Sequence, residues 1–187
     1  ITNSGTITGQ RDAFGVRGGT ISGGITNEVG GIIDAGEDAF YVDASAISGG
    51  IVNRGTITGG TNAFNIINAT APIAITNSGL IDGSVILDTS TLTLEGLTGR
   101  VTGAVSGGVG SAVTVNGTFA TENTFNVDTF GIDAGGQFTI GHDVTTTSGL
   151  SNAGTLVVSG GTISGAITNS GLIDGAGILD TSTLTLE

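Results

Sequence analysis

One nine-residue stretch, Ile1-Thr2-Asn3-Ser4-Gly5-Thr6-Ile7-Thr8-Gly9, is rewritten along the chain and constrains the fold more than any other feature. Copies stand at Ile25-Thr26-Asn27, Ile51-Val52-Asn53-Arg54-Gly55-Thr56-Ile57-Thr58-Gly59, Ile75-Thr76-Asn77-Ser78-Gly79 and Ile167-Thr168-Asn169-Ser170-Gly171. Leu150-Ser151-Asn152-Ala153-Gly154 is a looser copy. The first four asparagines lie 24, 26 and 24 residues apart. A fixed period of about 20–50 residues is the signature of a stacked repeat architecture.

Within each repeat the apolar residues alternate with polar ones. Phe14 and Val16, Phe40 and Val42, and Phe64 and Ile66 each sit two apart, the pattern of a strand with one buried face. Ile21 to Ile25 and Ile47 to Ile51 mark a second segment, and Thr6-Ile7-Thr8 and Thr56-Ile57-Thr58 a third. Glycine and β-branched residues disfavour helix, and no long 3.6-residue apolar period competes. The chain is therefore expected to be all-β, a parallel β-helix of about 24 residues per coil and seven or eight coils. The general preference of parallel crossovers makes it right-handed. Equivalent residues of successive coils then touch, about 4.8 Å apart. Phe14, Phe40 and Phe64 should stack inside, as should Ile7, Ile33, Ile57 and Ile81. Asn3, Asn27, Asn53 and Asn77 should form an amide ladder at a turn, a structural role that fits asparagine's tolerance of left-handed geometry better than a ligand-binding row. In the same register Arg17 aligns with Asp43 and Glu28 with Arg54, opposite charges worth about 0.2–1 kcal/mol a pair.

The whole chain, residues 1–187, reads as one segment of a longer repeat protein. Residues 1–95 are regular coils, 96–147 are divergent coils with irregular turns, and 148–187 are regular again. Residues 167–187 repeat residues 75–95 except at two positions, with an offset of 92 residues, taken as close to four coils. The chain has no methionine, and its limits fall inside repeats without a polar cap, so the sequence is expected to be a piece of something longer.

Composition narrows the function classes. Four arginines stand against 16 acidic residues, a net charge of −12. No basic patch is available to neutralise phosphates, which argues against nucleic acid and anionic lipid as partners. There is no cysteine for disulfide or thiol chemistry. No run of 18 or more apolar residues crosses a membrane, so no membrane insertion of this segment is expected.

Ile1 to Gly9, Gly154 to Gly165 and Val85 to Leu94 together resemble the repeats of autotransporter-type passenger domains and related large repeat adhesins of Gram-negative bacteria. The resemblance implies export to the outer surface or the medium, a β-helical stalk, and adhesion or aggregation. It specifies fold better than activity.

Each candidate site has a structural counterpart. Asp34, Glu37 and Asp38 cluster in one turn with Asp12 one coil away, and oxygen ligands suit calcium. The glycine-rich nonapeptide of calcium-binding β-rolls is absent, so a solvated acidic turn is the competing account. No other cofactor is called for. The Thr-x-Thr motifs at 6–8, 56–58, 91–93 and 183–185 raise ice binding, but Ile32 to Asp34 and Leu80 to Asp82 interrupt the grid. His142 is the single histidine, in a turn and without a nameable partner. Tyr41 should point outward. Asn68 and Asn116 match a glycosylation acceptor pattern that carries no meaning in a bacterial chain. Neither a carboxylate pair nor a lysine base supports glycan cleavage.

The reading that follows is a non-catalytic, extracellular structural or adhesive segment, a rigid stalk or self-associating fibre body. Its partners would be other copies, flanking repeats and host or matrix glycans. A polysaccharide-binding or polysaccharide-cleaving β-helix is the alternative.

Overall fold

The computed structural model describes residues 1–121, 123–176, 178–180 and 184–186. Every regular element among them is a strand, and the successive coils pair in parallel. Each turn contributes to three walls, in chain order. The first wall begins with Thr2–Asn3 and Ile25–Asn27, the second with Thr6–Gly9 and Ile32–Ala35, and the third with Phe14–Arg17 and Asp38–Asp43. The molecule is a β-solenoid of about nine turns.

The walls hold the register that the repeats predict. On the second wall Ile7 pairs with Ile33, Ile33 with Ile57 and Ile57 with Ile81. On the third, Phe14, Phe40 and Phe64 stack with ring centroids 4.8 and 4.9 Å apart and planes within 8°. On the first, Ile25, Ile51, Ile75, Leu92, Val113, Phe130, Leu150 and Ile167 line the core, and all are buried. Alternation along each strand sends the next residue outward.

The asparagine ladder is present and buried. Asn3 Nδ2 donates to Asn27 Oδ1 at 2.8 Å, Asn27 to Asn53 at 2.9 Å, and Asn53 to Asn77 at 2.8 Å. The same nitrogens reach the carbonyls of Ile32, Thr56 and Leu80, which opens the turn into the second wall of the next coil. Glycine follows each asparagine because the turns nest there. A Cβ on Gly79 would lie 2.1 Å from the Gly55 carbonyl oxygen, and one on Gly55 2.2 Å from that of Gly31.

Turn length is where the structure corrects the sequence. Beyond Asn77 the ladder column continues as Leu94, Val115 and Ile132, then Asn152, Asn169 and Leu186. The turns are 24–26 residues long as far as Asn77 and 17–21 thereafter. The 92-residue offset therefore spans five turns, from Ile75 through Leu92, Val113, Phe130 and Leu150 to Ile167. Part of the length lost is a corner: the short ladder pairing Thr20 with Ala46 and Ile21 with Ile47 belongs to the first long turns. Residues 96–147, expected to have irregular turns, are mostly in register, with a shift between Val127 and Thr129 in their pairing to the following turn and a break in the second wall between Val101 and Thr118. Their narrower interior is filled by Phe125, Phe130 and Phe138, one from each wall. Their centroids lie 4.9–5.7 Å apart, with two edge-to-face contacts, a favoured aromatic geometry.

A second recurrent corner was not read from the sequence. Gly18, Ala44, Asn68 and Thr89 have φ of 62°, 48°, 52° and 50°, and they stack in one column in register with the third wall. Ser45 and Ser90 follow one residue after Ala44 and Thr89. Each hydroxyl donates to the carbonyl two residues back and accepts an N–H from the adjoining turn, from Gly19 and Ile73 respectively. Left-handed geometry costs an L-residue roughly 1–2 kcal/mol, less for asparagine.

Two outcomes follow. Thr89→Asn, which copies the Asn68 corner, should stabilise the chain by about 1 kcal/mol in urea unfolding. Asn53→Ala should cost about 3 kcal/mol, because it strips a partner from both Asn27 and Asn77 inside the core.

Candidate functional site

The acidic turn was the strongest sequence candidate for a ligand. Its four carboxylates do not converge on one point. Asp34 points outward on the second wall, paired in register with Thr8 and Thr58. Asp38 is buried at the start of a third-wall strand, and its oxygens accept from Asn62 Nδ2 and Asn65 Nδ2, both at 2.8 Å. Glu37 is exposed and pairs with Arg11 Nε at 3.1 Å. Asp12 accepts from Arg17 at 2.9 Å, while its other oxygen is buried without a hydrogen-bond donor, Arg11 Nε standing 3.9 Å away. Among the described residues no group of three or more His, Cys, Asp or Glu side chains is placed to hold a metal ion. Arginine contacts at Glu37 and at one Asp12 oxygen, and asparagine amides at Asp38, take up lone pairs that a cation would need.

The two outward charge pairs have different fates. Arg54 meets Glu28 at 3.3 Å across one turn, as the register predicts. Arg17 and Asp43 are backbone partners in register but do not form the expected ion pair. Gly15 leaves the strand surface bare beside Arg17. The guanidinium folds back over it to Asp12 and covers the Tyr41 ring at 4.2 Å. Asp43 accepts instead from Asn68 Nδ2 at 3.0 Å. Tyr41, expected to be exposed, is half-buried beneath Arg17. The hydrogen bond from Arg17 to Asp12 raises the arginine's pKa further above its ordinary value.

The threonine motifs separate onto different walls. Thr6-Ile7-Thr8 and Thr56-Ile57-Thr58 belong to the second wall, while Thr91 to Thr93 pair with Ala74 to Thr76 on the first. Thr183 lies outside the described residues. The outer column of the first wall reads Thr2, Thr26, Val52, Thr76, Thr93 and Thr114, then Gly131, Ser151, Thr168 and Thr185.

Surface relief is modest. A depression of about 160 Å³ is bounded by Arg100, Val101, Thr102 and Ala120. A shallower groove of about 320 Å³ crosses the first wall around Thr114, Gly131 and Ser151. Among the described residues neither hollow is lined by a histidine or a carboxylate, and His142 is exposed on a turn elsewhere. Comparison of the chain with protein-family models, with curated proteins and with solved structures finds no match.

Asp128, near the groove, sits in a setting that lowers its pKa. It accepts from Ser148 Oγ at 2.6 Å and Gly110 N–H at 2.8 Å, and these bonds hold its pKa below the ordinary carboxylate value. A depressed folded pKa gives stability that is present above the unfolded pKa and is lost as pH falls through the folded one. The melting temperature should therefore fall on acidification below about pH 4, and Asp128→Asn should flatten that acid limb in a pH series of thermal melts.

Proposed function

We propose that this chain is a non-catalytic structural segment, a rigid spacer or fibre body within a large exported repeat protein of the autotransporter-passenger or adhesin kind. The observation that carries the reading is the continuity of the first wall, which runs unbroken where the second is interrupted between Val101 and Thr118. From Asn3 to Leu186 every turn is bonded to the next in parallel register. A solenoid grows along one axis by stacking turns that each contact only their neighbours. Backbone hydrogen bonds run along its axis, and the asparagine and phenylalanine columns reinforce them.

The surface fits that role. Short corners leave shallow relief, and the acidic charge keeps neighbouring rods soluble. Its partners are then flanking repeats of the same protein and other copies of the chain, on the outer surface of a bacterium. Nine steps at about 4.8 Å give a rod roughly 43 Å long.

Negative-stain microscopy over a concentration series, with calcium and with EDTA, should show rods or fibres of a single width in both conditions. Turnover of acidic or neutral polysaccharides above blank would overturn the non-catalytic reading.

A further inference from the structure

Gly131 is a glycine near the end of a strand, with no structural need to be one. It lies in Phe125–Ile132, pairs with Thr114 on one side and Ser151 on the other, and has no positive φ. A Cβ added there would meet nothing closer than Thr114 Oγ1 and the Val113 carbonyl oxygen, both at 3.9 Å. The stacked glycines Gly55, Gly79, Gly154 and Gly171 are different, since a Cβ on each would strike backbone at 2.1–2.2 Å. A glycine inside a strand weakens it and commonly marks a bulge, a close backbone or an approaching ligand. No backbone crowds Gly131, and its own pairs are in register beyond the shift between Val127 and Thr129, so the bare strand surface there is open to a ligand.

The missing side chain interrupts the hydroxyl column of the first wall and opens the 320 Å³ groove. Gly149, one turn on, deepens the groove, and its φ of 135° requires glycine. The polar rim is made of hydroxyls: Thr114, Thr129, Ser148, Ser151 and Thr168. Ser148 is oriented by donating its proton to Asp128, so its lone pairs remain to accept from a bound group. No charged side chain lines the groove among the described residues. The volume sits at the small end of ligand sites, about 300 Å³.

We propose that the Gly131 groove is a binding site for a neutral saccharide, one sugar unit seated over the glycine with its hydroxyls shared among the rim threonines and serines. The site rides on the spacer and does not depend on the spacer's own role. A sugar chain running along the axis would meet the outward hydroxyls of the turns on either side.

The test is an NMR titration of the isotope-labelled chain with cellotetraose, maltotetraose and mannotetraose, and with tetragalacturonate as a charged control. At least one neutral tetraose should give saturable shifts at the Gly131, Ser151 and Thr168 amides, with a dissociation constant of about 1 mM. Gly131→Thr, which completes the hydroxyl column, should leave the melting temperature unchanged or higher. It should weaken binding by about tenfold or more. Thr168→Val, which removes one hydroxyl without changing shape, should weaken binding at unchanged stability. Absence of saturable shifts with all three neutral sugars, binding by the charged control alone, or a Gly131→Thr chain that binds like the parent would each overturn the proposal.

Discussion

In a parallel solenoid each residue sits about 4.8 Å from its equivalent one turn away, so every position in the repeat must tolerate a near-copy of itself as a neighbour. Phenylalanine, isoleucine and asparagine do so with profit. Their columns carry the core: stacked rings at Phe14, Phe40 and Phe64, and amides that donate and accept in the same direction from Asn3 to Asn77. Carboxylates do not. The chain answers with alternation, setting Asn62 above Asp38, Thr58 above Asp34 and Arg54 above Glu28. The turn candidate for calcium is one product of this rule. Asp38 accepts from two asparagine amides, Asp12 and Glu37 pair with arginines, and Asp34 stands outward between two threonines.

The ladder shows what an interruption costs. Where Leu94, Val115 and Ile132 replace asparagine, the column turns apolar for three turns. When the amides resume at Asn152, its Oδ1 has no donor below it and is buried without a partner. An apolar column and an amide column are each self-consistent, but the step between them leaves one polar atom unsatisfied. Such an atom costs about 1–3 kcal/mol, which favours long blocks of either kind over a mixture.

The features legible in the sequence were those that repeat identically at fixed spacing: the Ile-x-Asn turns, the Phe14 column and the Glu28–Arg54 pair. Those that escaped depend on corners. Turn length is set by how many residues round a corner, and corner residues carry no alternating signal. The change from 24–26 to 17–21 residues therefore passed as divergence, and the convergence of Phe125, Phe130 and Phe138 passed with it. Arg17 found Asp12 because Gly15 cleared the route along its own strand, a local contact that register alone could not reveal. The Gly131 groove was hidden for a simpler reason: it is made by side chains that are missing.

The near-identity of residues 75–95 and 167–187 acquires a mechanical meaning from the turn count. Ile75, Thr76 and Asn77 meet Leu92, Thr93 and Leu94 as Ile167, Thr168 and Asn169 meet Leu184, Thr185 and Leu186. The two copies lie a whole number of turns apart, so recombination between them would insert or excise 92 residues without shifting any wall out of phase. Length becomes a quantised trait. A gene carrying such copies can lengthen or shorten its product by about 24 Å at a stroke, five strand spacings, and every variant inherits an intact core.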